Sequence, residues 1–160
     1  MTRVAITGHR GLDGATTALV AEAIATELRA LSDSGELIGV SCLADGADQV
    51  FARALVDAGG QLVVVVPASE YRDGLPEAAW DAYDELLAKA VEVRRLPYVR
   101  SDEHAHMAAS VEMLRGVDRL FAVWDGHPAR GHGGTADVVA YARGEGIPVT
   151  VIWPNGARRD

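Results

Sequence analysis

The chain has 160 residues, 49% of them hydrophobic and 24% charged, with a formal net charge of -8 at pH 7. That is enough for one domain with a sizeable core, and too apolar for a disordered chain. The excess of acid opposes non-specific binding to nucleic acid and to anionic membranes, so an anionic guest must be held by local groups.

Residues 4–7, VAIT, read as a short apolar strand running straight into Gly8-His9-Arg10-Gly11. A helix is expected over 16–31, with Leu19, Ala23, Ile24, Leu28 and Leu31 at helical spacing, then a strand over 37–43. Residues 47–58 carry Val50, Phe51, Ala54 and Leu55 on one helical face, and Gly59-Gly60 stops that helix. The unbroken apolar run 62–66 suits a central parallel strand covered on both faces, ended by Pro67. A helix over 76–90 with Trp80, Tyr83 and Leu87 in one stripe precedes a weaker strand, 91–96. A loop over 97–106, PYVRSDEHAH, leads to a helix over 107–115. A strand over 120–124, a glycine-rich turn, a helix over 136–143 and a strand over 147–153 complete the pattern.

Strands alternating with helices on short connections predict an α/β fold, a three-layer, Rossmann-like open parallel sheet of about six strands with helices on both faces. One domain is expected over residues 1–153, with a polar tail, 154–160, expected to fray. The default order for two βαβ halves is 3-2-1-4-5-6, which sets the loop after strand one beside that after strand four. No apolar run approaches a bilayer span and residues 1–11 lack the core of a signal peptide, so a cytoplasmic protein with no membrane partner is expected. Cys42 is the only cysteine; in an apolar strand it reads as a small buried hydrophobe in a reducing compartment.

The chemistry concentrates in the turns that follow strands. A helix start offers unpaired N–H groups and a partial positive charge, and glycine lets an anion approach them. Two such turns stand at Gly8–Gly11 and at Gly131-His132-Gly133-Gly134-Thr135. In a parallel sheet both open on the carboxyl edge, so they define one anion-binding cleft. The N–H groups of Gly133, Gly134 and Thr135 would cradle a phosphate, helped by Gly8, His9, Arg10, Gly131 and the Thr135 hydroxyl. Asp45 and Asp48 suit sugar hydroxyls or, alternatively, capping roles at a helix start. Asp125 and Arg130 are rim candidates. All five histidines fall in loops after strands one, four and five, which marks this rim as functional. His104 and His106 with Asp102 and Glu103 lack the spacing of a metal site, so no metal is expected.

Three stretches together resemble the SLOG superfamily of Rossmann-like proteins: AITGHRG at residues 5–11, GVSCLADGADQVFARAL at 39–55 and GHGGTADVVAYA at 131–142. That superfamily includes the DNA-processing protein DprA (Smf), the LOG cytokinin-activating phosphoribohydrolases and the molybdenum cofactor carriers. The second stretch is similar to the SGxAxGID pattern of the DprA group and the third to the PGGxGTxxE region of the LOG group. The resemblance implies a site for a nucleotide or nucleotide-derived phosphate ligand, in a sensor or binding protein, and a homodimer. It also implies two alternatives, a nucleoside monophosphate N-glycosidase and a carrier of a phosphorylated cofactor. Aligned on Gly134-Thr135, however, the LOG glutamate falls on Val138 and its proline on Arg130. Asp137, one position early, and Asp48 are the candidate catalytic carboxylates. With the acidic charge and no basic aromatic track, a nucleic-acid partner is not expected. The aromatic segment around Tyr71, Trp80 and Tyr83 is expected either to cover the sheet or to meet a second copy.

Overall fold

The computed structural model describes residues 1–33, 35–128 and 134–159. Among them, β1 (Thr2–Gly8), α1 (Gly14–Ser32), β2 (Leu37–Ser41), α2 (Ala47–Asp57) and β3 (Gln61–Ala68) come first. After two short 3-10 turns follow α3 (Trp80–Lys89), β4 (Glu92–Tyr98), α4 (Glu103–Met113), β5 (Arg119–Val123), α5 (Thr135–Gly144) and β6 (Val149–Ile152).

Local chemistry sets the element ends. Asp13 starts α1 by accepting from Thr16 N at 2.6 Å, and the helix buries Thr16, Val20, Ile24 and Leu28, one residue every four. The expected stripe is thus displaced: Leu19, Ala23 and Leu31 are only half-buried and flank it. Asp102 caps α4 by accepting from Ala105 N at 2.9 Å, so this helix begins at Glu103, four residues before the expected start, and His104 and His106 belong to its first turns. Pro67 does not end β3. It sits inside the strand at the register break between Val66 and Ala68, where a missing N–H costs no ladder bond.

All six strands are parallel, in the order β4-β3-β2-β1-β5-β6. From β1 to β4 the chain steps steadily outward, so right-handed crossovers put α1, α2 and α3 on one face. After β4 it returns across the sheet, which puts α4 and α5 on the other. Packing agrees, α1 on α2 and α2 on α3 against α4 on α5. The reversal falls between β1 and β5, and there the carboxyl edge opens a crevice.

The fourth strand corrects the default order. It lies at the sheet edge beside β3, and β5 pairs with β1 instead. The reason is polarity: β4 carries Glu92, Arg94 and Arg95 and only half-buries its apolar residues, whereas Leu120, Phe121, Ala122 and Val123 of β5 are all fully buried. A charged strand at an edge also blocks pairing with other chains. The aromatic segment covers the structure from within: Tyr71 and Tyr83 are buried, and Trp80 donates Nε1–H to Arg72 O at 2.8 Å.

Candidate ligand-binding site

A cavity of about 580 Å³ opens where the carboxyl ends of β1, β2 and β3 meet the first turns of α4 and α5. It brings together six of the residues the sequence singles out: Gly8, His9, Arg10, Asp48, Gly134 and Thr135. Gly134 is the N-cap of α5, and no side chain caps that helix among the described residues. Asp45 and Asp125 stand behind the lining and hold other groups in place. Asp137 lies in the first turn of α5 outside the lining. Arg130, Gly131 and Gly133 lie outside the described residues.

Two loops have to touch for this cleft to form, and glycine is what allows it. A Cβ on Gly8 would come within 2.4 Å of Ala47 Cβ, and one on Gly46 within 2.6 Å of His9 O. Gly46 also has φ of +94°, a conformation other residues avoid. With both glycines present, Ala47 N–H donates to His9 O at 3.3 Å, and α2 starts directly behind Arg10. Gly46, not Asp45, is the N-cap of α2. The capping role considered for Asp45 is therefore not the one it takes: its Oδ1 accepts from Arg10 Nε at 2.7 Å. Asp48 turns back to accept from Ala44 N at 3.3 Å.

Between β2 and α2 the chain is strained. Leu43 has φ of +57°, which costs a non-glycine residue on the order of 1–3 kcal/mol. The surroundings hold it there: Leu43 N donates to Ser41 Oγ at 3.0 Å, and Gln49 Nε2 donates to Leu43 O at 3.1 Å.

Charge is distributed unevenly. Burial pushes Asp48 up to about 7, against the Ala44 N–H and the Arg10 charge that draw it down. Burial pushes the Cys42 thiol and the Tyr71 phenol well up, and pushes His106 down, helped by Arg10. The buried walls therefore favour neutral groups. The more exposed rim carries Arg10 and Arg159, the N-terminus of α5 and one acid, Glu103. At the end of β5, burial alone would raise Asp125, but the His127 N–H at 2.9 Å, the neighbouring His9 and the charge of Arg159 hold it below the usual carboxylate range. Asp125 N–H also donates to His9 Nε2 at 3.1 Å, fixing the ring in the lining.

His104 and His106 diverge. The His104 ring packs on Tyr98, whereas His106 faces the cavity, with Nε2 2.8 Å from Ser101 Oγ. No group of three metal-ligating side chains forms among the described residues. No helix among them is long and apolar enough to cross a membrane. The sequence reading passes over Tyr71, Ser110, Met113 and Arg159 as site residues, yet all four line the cavity. The first three reach it through the path of β3 and α4, which residue spacing does not reveal. Cys42 is buried as expected, and it also contributes to the wall.

No protein-family model matches the sequence and no curated protein matches it. Solved structures do. The chain is similar to DNA processing protein A (DprA) of Streptococcus pneumoniae, with TM-score 0.68 and 19% identity over 98% of this chain and 52% of that one. It thus spans about half the length of that protein. It is similar to DprA of Helicobacter pylori, with TM-score 0.69 and 15% identity over 98% of this chain and 67% of that one. It is similar also to the Moco carrier protein of Chlamydomonas rheinhardtii, with TM-score 0.55 and 15% identity over 94% and 74% of the two chains. At these identities the likeness is one of fold, a Rossmann-like α/β fold that this chain shares with them.

Proposed function

We propose that this protein binds a nucleotide or nucleotide-derived phosphate ligand in the cleft, as a sensor or binding protein. The polarity of the cavity carries the reading: a rim of guanidinium groups and a helix N-terminus that no side chain caps among the described residues surrounds walls whose titratable groups favour their neutral forms. An anion belongs on such a rim and an uncharged heterocycle inside it. The phosphate rests on the N–H groups at the start of α5 and on Gly8, His9, Arg10 and the Thr135 hydroxyl, with Asp48 facing the sugar or base. Fold neighbours that include a cofactor carrier and DNA-processing proteins are compatible with a ligand at this edge. The homodimer implied by the superfamily resemblance belongs to the same proposal, and light scattering of the purified protein reads it directly.

The test is thermal stabilisation by ribonucleoside 5′-monophosphates of the wild type and of Gly134→Asp, whose carboxylate would occupy the helix N-terminus and repel an anion. A ligand at a hundred times its Kd adds about 2.7 kcal/mol of stability. The wild type should gain this and the variant should not. Equal gains in both proteins reject the cradle.

A second reading is favoured by one observation, the position of the Asp48 carboxyl in the cavity at about 7. Such a group is suited to exchange a proton near neutrality, as hydrolysis of the N-glycosidic bond of a nucleoside monophosphate requires. The LOG-type glutamate is no part of it, because Val138 at that position is 1% exposed and belongs to the core. The same nucleotides, incubated with the protein, should then release free base, and Asp48→Asn should abolish the release. If no base appears and native mass spectrometry finds a retained phosphorylated cofactor, the cleft serves a carrier.

A further inference from the structure

We infer that Arg159, on the segment following β6, is a phosphate ligand of this cleft. The inference rests on the reading of the cavity as a nucleotide site, but it concerns a side chain outside both glycine turns.

Residues 154–159 are hydrogen-bonded against the domain. Ala157 N–H donates to Pro154 O at 3.0 Å and Gly156 has φ of +93°, which together make a type II turn of the sequence Pro-Asn-Gly-Ala. The turn lies against Leu19 of α1. Beyond it, Arg158 N–H donates at 2.9 Å to the hydroxyl of Thr16, a residue 1% exposed. Before it, the Trp153 ring stands edge-on to His9, centroids 5.5 Å apart. Pinned at these points, the segment delivers Arg159 to the cavity lining, with its side chain 17% exposed.

There the guanidinium is poorly matched. Its one ionic partner among the described residues is Asp125, at 3.5 Å, beyond the range of about 2.7–3.2 Å for an N–H···O bond. Asp125 meanwhile accepts from His127 N and sits 3.2 Å from His9 Nε2. Asp125 therefore orients Arg159 without using up its five donors. Arg10, the other arginine of the lining, is already bonded to Asp45 at 2.7 Å. A guanidinium mostly shielded from water, with donors to spare, in the same cavity lining as the start of α5 fits a phosphate bidentately.

The experiment measures Kd for AMP, GMP, CMP and UMP with the wild type, Arg159→Gln and Arg158→Gln. The last removes the same charge one residue away from an exposed side chain. Arg159→Gln should weaken the best-bound monophosphate about ten- to a hundred-fold, the scale of one lost charge-assisted contact. Arg158→Gln should stay within about twofold, as one exposed charge is expected to. Arg159→Lys, which keeps the charge but loses the fork, should fall between, and it carries the measurement if Arg159→Gln does not fold. Equal affinities for the wild type and the folded Arg159 variants, or equal losses at 158 and 159, overturn the assignment while leaving the cleft in place. No binding of any monophosphate by the wild type removes the nucleotide reading and this assignment with it.

Discussion

Asp48 is the residue at which the fold and the site make opposing demands. Its carboxyl is pushed up to about 7 in the folded protein, against about 3.9 in an unfolded chain. A group raised in this way holds its proton in the native state after the unfolded chain has released it. The contribution of Asp48 to stability is therefore greatest below about pH 4 and is lost as pH rises through about 7, by on the order of 4 kcal/mol at most. Asp48→Asn keeps the size and an acceptor for Ala44 N–H and removes the titration. Melting temperatures of the two proteins should converge near pH 4 and separate by pH 8, with the variant the more stable. His106 titrates in the same window but equally in both proteins, so the difference isolates Asp48; parallel curves would refute the assignment. That Asp48 would lie at this edge of the sheet was legible from LADGADQ and the resemblance around it. The strain at Leu43, one bond from Cys42 in the cavity wall, was not, because nothing in a leucine announces a positive φ.

Among the elements, the loop from β2 to α2 packs directly on the loop from β1 to α1. Gly46 has φ of +94° and its backbone lies against His9 O and Arg10 Cα. Gly46→Ala should therefore cost on the order of 1–3 kcal/mol in strain and displaced packing. It should also separate Arg10 from Asp48 and so weaken monophosphate binding. Denaturant unfolding and titration of the same sample read both effects, and a variant as stable and as tightly binding as the wild type would show that the two loops need no contact. Strand and helix identities were readable here because apolar runs and helical stripes follow burial directly. Strand order was less so: the pairings of β3 with β2, β2 with β1 and β5 with β6 are as expected, but β4 lies at the edge beside β3, and β5 takes its place beside β1. Its Glu92, Arg94 and Arg95 were the available signal, and a default topology outweighed them. The start of α4 was missed for a related reason, since the Asp102 cap lies inside a stretch polar enough to read as loop.

At the scale of the whole molecule, the acidic chain shares its fold with Helicobacter pylori DprA, a protein that binds single-stranded DNA. Binding to single strands draws on many phosphate contacts along a basic, aromatic-lined track, and its affinity falls with salt in proportion to their number. This chain carries -8 overall. The two arginines of the cavity lining each stand beside an acid, Arg10 by Asp45 and Arg159 by Asp125. On the proposed reading the pocket takes one or two phosphates, so the salt dependence of mononucleotide binding should correspond to about one or two charges. A fluorescein-labelled dT oligonucleotide should show no anisotropy change at about 150 mM salt with tens of micromolar protein, and should not displace a bound monophosphate. Sub-micromolar binding of the oligonucleotide, with a steep salt slope, would mean that the shared fold carries its DNA surface despite the opposing charge, and that the cavity is not the principal site.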